Sequence, residues 1–286
     1  MNIPAQLGIS PNVKGFVIDR ETSFLYAYLS LKVFAPSYIG ANGKVKVFIR
    51  RESLMELKGL KDFLSTSLFR GRKSTGKDKI VTNFHQLYYD SGHQKGTWQN
   101  THWFGIQILK CPLDLWIYQE IIFSQRPDII VECGTMLGGS ALYLASICDL
   151  VRCGRVITID IQHRDGRPQH DRITYVTGSS TDDTVVKKVE TMIDKEDKVM
   201  VILDSDHSEK HVARELEIYS QLVSPGCYLI VEDTNVNGHP VFREHGPGPM
   251  EAVENFLRER QDFVVDREME KFYLTFNPKG YLKRVV

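Results

Sequence analysis

The run from Arg126 to Ala141, RPDIIVECGTMLGGSA, limits what this chain can become more than any other stretch. Ile129, Ile130 and Val131 form the short continuous apolar run of a strand buried on both faces, and an acidic residue, Glu132, follows directly. Gly134, Gly138 and Gly139 fall where a strand-to-helix turn needs small residues, with an amphipathic segment beyond. The pattern is that of a cofactor cradle at the end of a first parallel strand. A dinucleotide turn, G-x-G-x-x-G, needs a second glycine so that the backbone can close on a pyrophosphate. Met136 stands in that place, which disfavours NAD.

Beyond Ala141 strands and helices alternate. Helices are expected over Ala141–Leu150, Thr181–Ile193 and Glu209–Leu222, and strands over Arg155–Asp160, Ile173–Val176, Val199–Asp204 and Cys227–Asp233. Asp262–Phe276 reads as two strands around a turn, an antiparallel hairpin at one edge. Such alternation implies right-handed crossovers, a doubly wound and mostly parallel α/β sheet, and a ligand crevice at the strands' carboxyl ends.

The chain's 36 Lys and Arg balance its 36 Asp and Glu, so nothing argues for a nucleic acid or anionic membrane partner, and a small molecule is the expected substrate. Cys111, Cys133, Cys148, Cys153 and Cys227 are odd in number and include no C-x-x-C pair, which fits reduced thiols in a cytosol and no thiolate metal site. The start, MNIPAQLGIS, lacks a secretory pattern, and the longest apolar run, Phe24–Phe34, is too short to span a bilayer. A soluble, cytoplasmic protein is expected.

Residues 1–95 read as a small N-terminal subdomain, for oligomerisation or for shaping a substrate site, ahead of a main domain over 96–286. Phe24–Phe34 suits a helix or a strand, Lys44–Arg50 alternates as a strand does, and Ser53–Phe69 carries leucines at helical spacing. Gly71–Lys77, GRKSTGK, mimics a phosphate loop, but Asp78 replaces the expected Ser or Thr and no buried strand precedes it, so a solvated basic loop is expected and ATP is not. In Thr97–Gly105, TWQNTHWFG, Trp98 and Trp103 suit either plain packing or, with Asn100, Thr101 and His102, a pocket wall. Pro112 opens a helix through Leu113–Phe123.

Asp160 ends the second strand, where a carboxylate can accept hydrogen bonds from both hydroxyls of a ribose. Ser179 and Ser180 end the third, at an adenine edge or as a helix cap. Asp204 ends one strand and Glu232 and Asp233 the next, so three carboxylates should converge on one rim of the sheet. Packed acids resist ionising together, and a divalent cation removes that cost. Oxygen donors with room for further ligands suit Mg²⁺, or Mn²⁺, better than zinc. His207, just before a helix that Ser208 could cap, should lie over the same rim. His211 is expected to be an ordinary surface residue.

From TWQNTHWFG through VECGTMLGGSALY, LDSDHS, IVEDTNVNG and GPGPMEAVENFL to FNPKGYLKRV, the chain resembles the cephalosporin hydroxylase family, which includes Mg²⁺-dependent O-methyltransferases acting on macrolide sugars. Glu132, Gly134 and Gly138 are likewise similar to the first motif of class I S-adenosylmethionine-dependent methyltransferases. The resemblance implies seven strands, a cofactor held by Glu132, Gly134, Thr135, Gly138, Asp160 and Ser180, and a metal held by Asp204, Glu232 and Asp233. It further implies His207 as general base, and a homo-oligomer acting in natural-product biosynthesis. A departure is the three-residue interval between Gly134 and Gly138, which changes the backbone amides offered to the cofactor's carboxylate. The implied activity is methyl transfer to one hydroxyl of a vicinal diol. The alternatives are a hydroxylase or monooxygenase component, and a non-catalytic cofactor-binding scaffold.

Overall fold

The computed structural model describes residues 75–90 and 97–286, together with the backbone of three strands nearer the N-terminus. These strands, β1 (Val13–Ile18), β2 (Ser37–Ile39) and β3 (Val45–Arg50), pair antiparallel in the order β1-β3-β2. The alternating KVKVFIR run thus supplies the central strand of a small sheet. The readings of Phe24–Phe34 and Ser53–Phe69 lie outside the described residues. Met1–Ser74 and Thr75–Val286 are separate compact units. The helix α1 (Gly76–Asp90) therefore goes with the second unit. It is tied there by His85, which stacks on Phe276 with centroids 5.9 Å apart and accepts a hydrogen bond at Nε2 from Asn235 Nδ2 (3.0 Å).

The aromatic loop folds as a 3₁₀ turn and a short hairpin of β4 (His102–Trp103) and β5 (Ile106–Gln107). The helix α2 (Pro112–Gln125) has Pro112 in its first turn, where a missing N–H costs nothing, and ends at Arg126 in the left-handed conformation. The strand β6 (Ile129–Cys133) is buried at every position, as a central parallel strand must be. There follow α3 (Gly139–Val151), β7 (Arg155–Asp160), β8 (Ile173–Thr177) and α4 (Asp183–Glu190), whose N-cap Asp182 accepts from Thr184 N. The remaining elements are β9 (Val199–Leu203), α5 (Glu209–Tyr219), β10 (Tyr228–Val231), α6 (Pro249–Glu259), β11 (Phe263–Val265) and β12 (Tyr281–Arg284).

The main sheet has seven strands in the order β11-β12-β10-β9-β6-β7-β8, with β12 antiparallel to both its neighbours. Winding outward from β6 through β7 to β8 and then returning to β9 makes the boundary between β6 and β9 a topological switch point. Their carboxyl tips diverge there, and a crevice opens.

One expectation is corrected. The partner of β11 is β12, not a strand within Lys271–Phe276. Leu274 and Phe276 instead bury into a satellite core with Cys111, and Phe276 N donates to Asp114 Oδ2 (2.8 Å), a side chain in place of a ladder partner. All five cysteines are free, and among the described residues no helix is long and apolar enough to cross a membrane.

Candidate active site

The turn after β6 is fixed by close backbone approach. Gly134 has φ +102°, and a Cβ placed on it would lie 1.8 Å from the Asp204 carbonyl oxygen, so only glycine lets the tips of β6 and β9 touch. Asp204 N also donates to Cys133 O (2.8 Å). Gly138, in the left-handed conformation at the N-cap of α3, packs beneath Pro168 and Tyr175 and does not line the adjoining cavity, whereas Gly139 in the first turn of α3 does. Gly139 and Ser140 at that helix start line the cavity, and a helix N-terminus is a natural seat for a carboxylate. Met136 holds the turn differently from a glycine: its φ is +47°, its N–H donates to Asp160 Oδ2 (2.7 Å), and its carbonyl accepts from Arg167 Nε (2.9 Å).

The cavity measures about 510 Å³ and runs along the tips of β6, β7 and β8. Its wall includes Gly134, Thr135, Asp160, Ser180 and Asp204, which brings together five of the residues expected at the site. Glu132 is not among them. It is fully buried beneath the turn, where Oε2 accepts from Thr158 Oγ1 (2.6 Å) and Thr158 in turn meets Thr135 Oγ1 (2.6 Å). Burial raises its pKa against the pull of nearby Lys110, so Glu132 shapes the cradle from below instead of walling the cavity. Asp160 also accepts from Gln162 N (2.8 Å) and pairs with Arg167 Nη2 (2.9 Å), a buried partner that the sequence did not announce.

His211 is no ordinary surface residue. It lines the cavity, bonds to Ser180 Oγ (3.1 Å), and lies 3.4 Å from Glu215 Oε1, a fully buried carboxylate that also accepts from Ser180 and Ser205. The Glu215 hydrogen bond raises the His211 pKa. The i, i+4 spacing of His211 and Glu215 on α5 was the available sign.

Asp204 and Asp233 come together with His207, whereas Glu232 stands outside that group and faces Lys110. Glu232 and Asp233 follow β10, and Asp204 follows β9. Asp233 has φ +53°, a strained conformation for a residue with a side chain. His207 Nε2 lies 3.3 Å from Asp233 Oδ2 and 4.0 Å from Asp204 Oδ1. Ligand atoms of Asp204, His207 and Asp233 fall within 4.8 Å of one another. This set holds one histidine and two carboxylates, not the two histidines and one carboxylate of a non-haem iron centre.

Between Asp204 and Glu232 sits Lys110, which sequence reasoning missed. Its Nζ contacts Asp204 Oδ2 and lies 2.5 Å from Glu232 Oε1, with 4% of the side chain exposed. Burial alone would lower its pKa, but Asp204, Glu232 and Glu132 reverse that and keep it charged. Burial, and then the Asp204 charge, pushes Glu232 far above the carboxylate range; Asp233 is raised by burial against the pull of His207. Asp204 and Glu232 share the one ammonium of Lys110, while Asp233 and the second oxygen of Asp204 face only the His207 imidazole. The donor set therefore fits a hard divalent cation.

Comparison with known proteins places these features in a family. The model of the family described as rhamnosyl O-methyltransferase/CmcI matches residues 95–285. The rhamnosyl O-methyltransferase of Mycobacterium tuberculosis H37Rv is 38% identical over 214 residues, covering 72% of this chain and 86% of that protein. The protein of the same name from Mycobacterium leprae is 37% identical over 215 residues, covering 72% and 91%. Among solved structures, CmcI-N160 in its apo form and CmcI-D160 with Mg and SAM each superpose with TM-score 0.52 at 22% identity. They cover 68% of this chain and 80% and 81% of theirs, a likeness of fold.

Proposed function

From the premise that this chain belongs to the rhamnosyl O-methyltransferase/CmcI family, we propose that it is a divalent-metal-dependent O-methyltransferase. The donor is S-adenosylmethionine, and the acceptor is one hydroxyl of a vicinal diol on a small glycoside, a 6-deoxyhexose such as a rhamnosyl unit first among them. One observation carries the reading: Asp204 is both a wall of the cofactor cavity and a member of the metal-competent cluster. A donor in the cavity and an acceptor at the rim thus meet across a single side chain.

Within this reading the cradle binds the donor. The first turn of α3 receives its carboxylate, Asp160 the ribose, and the Ser180 end the base. Asp204, open to the cavity, favours a positively charged sulfonium nearby. Asp204 and Asp233 would hold a divalent ion, with Glu232 behind them, and such an ion would lower the pKa of an acceptor hydroxyl and so ease its deprotonation. His207, 31% exposed on the same rim, takes the hydroxyl proton at Nε2. Holding donor and acceptor in line across Asp204 supplies much of the remaining acceleration.

The test is incubation with methyl-labelled S-adenosylmethionine, Mg²⁺ and rhamnosyl glycosides, alongside analogues lacking one hydroxyl of each diol. Label on a diol oxygen, lost when its neighbour is removed, is the expected result. Equal transfer to lone hydroxyls would overturn the diol requirement, and no transfer to any sugar hydroxyl would overturn the acceptor class.

A further inference from the structure

The ammonium of Lys110 lies where a metal reading alone would place nothing but negative charge. The segment that carries it is tightly fixed: Lys110 N donates to Thr101 Oγ1 (3.3 Å), Leu109 before it has φ +57°, and Cys111 and Pro112 after it start α2. With the side chain enclosed, hydrogen-bonded to Asp204 and ion-paired with Glu232, the charge has no short route to solvent. The cluster divides accordingly. Glu232, 5% exposed, and one oxygen of Asp204 face Lys110 on the buried side; Asp233, 22% exposed, and the other oxygen of Asp204 face His207 on the open side.

We propose that Lys110 is a resident cation of the carboxylate cluster. It positions Asp204 and Glu232 in the metal-free protein and, by setting a fixed positive charge against Asp204 on the side away from His207, holds the affinity of the open side for a divalent ion low enough for the ion to exchange. This rests on the metal reading above. Two physical consequences separate it from simple packing. Removing the ammonium leaves two acids facing each other in a desolvated place, which destabilises the ion-free fold. It also removes a positive charge beside the ion's seat, which tightens ion binding. A lysine acting only as a spacer would produce the first effect and not the second.

The experiment uses the full chain and compares wild type, Lys110→Met and Lys110→Met/Glu232→Gln by thermal unfolding in EDTA and by calorimetric titration with MgCl₂ alone. Lys110→Met is expected to unfold several degrees below wild type in EDTA and to bind Mg²⁺ at least ~10-fold more tightly, because one repulsive charge is gone. Adding Glu232→Gln, which removes the stranded charge, is expected to return most of the lost melting temperature and to bring the affinity back toward wild type. The proposal is overturned if wild type binds Mg²⁺ and Lys110→Met binds it no more tightly, or if the double variant is no more stable in EDTA than the single one. It is overturned as well if neither variant folds in EDTA or in Mg²⁺. Failure of wild type and every variant to bind Mg²⁺ would instead remove the metal reading, and the affinity claim with it.

Discussion

On the β6–β8 side of Asp204 the site is shaped by backbone: a glycine pressed on a carbonyl, a left-handed N-cap, a helix start, and Asp160 already bonded to the turn. On the β10 side it is shaped by charge, with three carboxylates, an ammonium and an imidazole. The first side is held by close backbone packing and by hydrogen bonds to Asp160. The second is balanced only in part by Lys110. This difference teaches that a single crevice can recognise one ligand by fit and the other by unbalanced charge, so the two halves should fail in different ways.

The largest effect should come from breaking the backbone side. Gly134→Ala brings a Cβ within 1.8 Å of the Asp204 carbonyl at a φ that side chains avoid, and should cost about 3 kcal/mol or more in stability, with loss of the S-adenosylmethionine-induced rise in melting temperature. A stable variant that still binds the cofactor would show that the tips need not touch.

Next in size is a pH effect confined to the charged side. His85 supports the loop after Asp233 through Asn235, and burial lowers its pKa from 6.5 to about 4. Because the folded pKa lies below the unfolded one, its contribution is full above about 6.5 and is lost as pH falls through about 4, to the extent of about 3 kcal/mol. Burial of Asp114, whose pKa is raised to about 6, acts in the opposite sense over an overlapping range. The measurement is therefore the difference in unfolding free energy between wild type and His85→Gln from pH 7 to 4. A constant difference would contradict the assignment.

The smallest effect sharpens the comparison without disturbing the fold. His207→Ala should lower kcat about 100-fold, the lower end of a general base's contribution, while cofactor affinity stays within about two-fold because the cradle does not include it. Loss of cofactor binding would mean that the halves are not independent.

The backbone side was legible because its signals are local. Gly134, Thr135 and Gly138 follow β6 within five residues, and Asp160 and Ser180 close or follow the next strands. The meeting of Asp204 and Asp233 was legible because parallel topology forces adjacent strand tips together. Lys110 was not, since it reaches Asp204 across 94 positions from an apolar run that reads only as core. The helix α1 was hidden by an inverted pattern: Ile80, Phe84 and Leu87 are exposed while His85 is buried. The second strand of the closing hairpin was misplaced because FYLTF alternates like a strand, yet Leu274 and Phe276 spend their apolar surface on the satellite core.

The central claim is that charge left unbalanced around Asp204 is what makes the reaction depend on an ion. Methyl transfer from labelled S-adenosylmethionine to a rhamnosyl acceptor, measured in EDTA and then after Mg²⁺ is returned in excess, tests it most directly. Loss of transfer in chelator with cofactor binding retained, and recovery on adding Mg²⁺, is the predicted result; undiminished transfer in EDTA would contradict it.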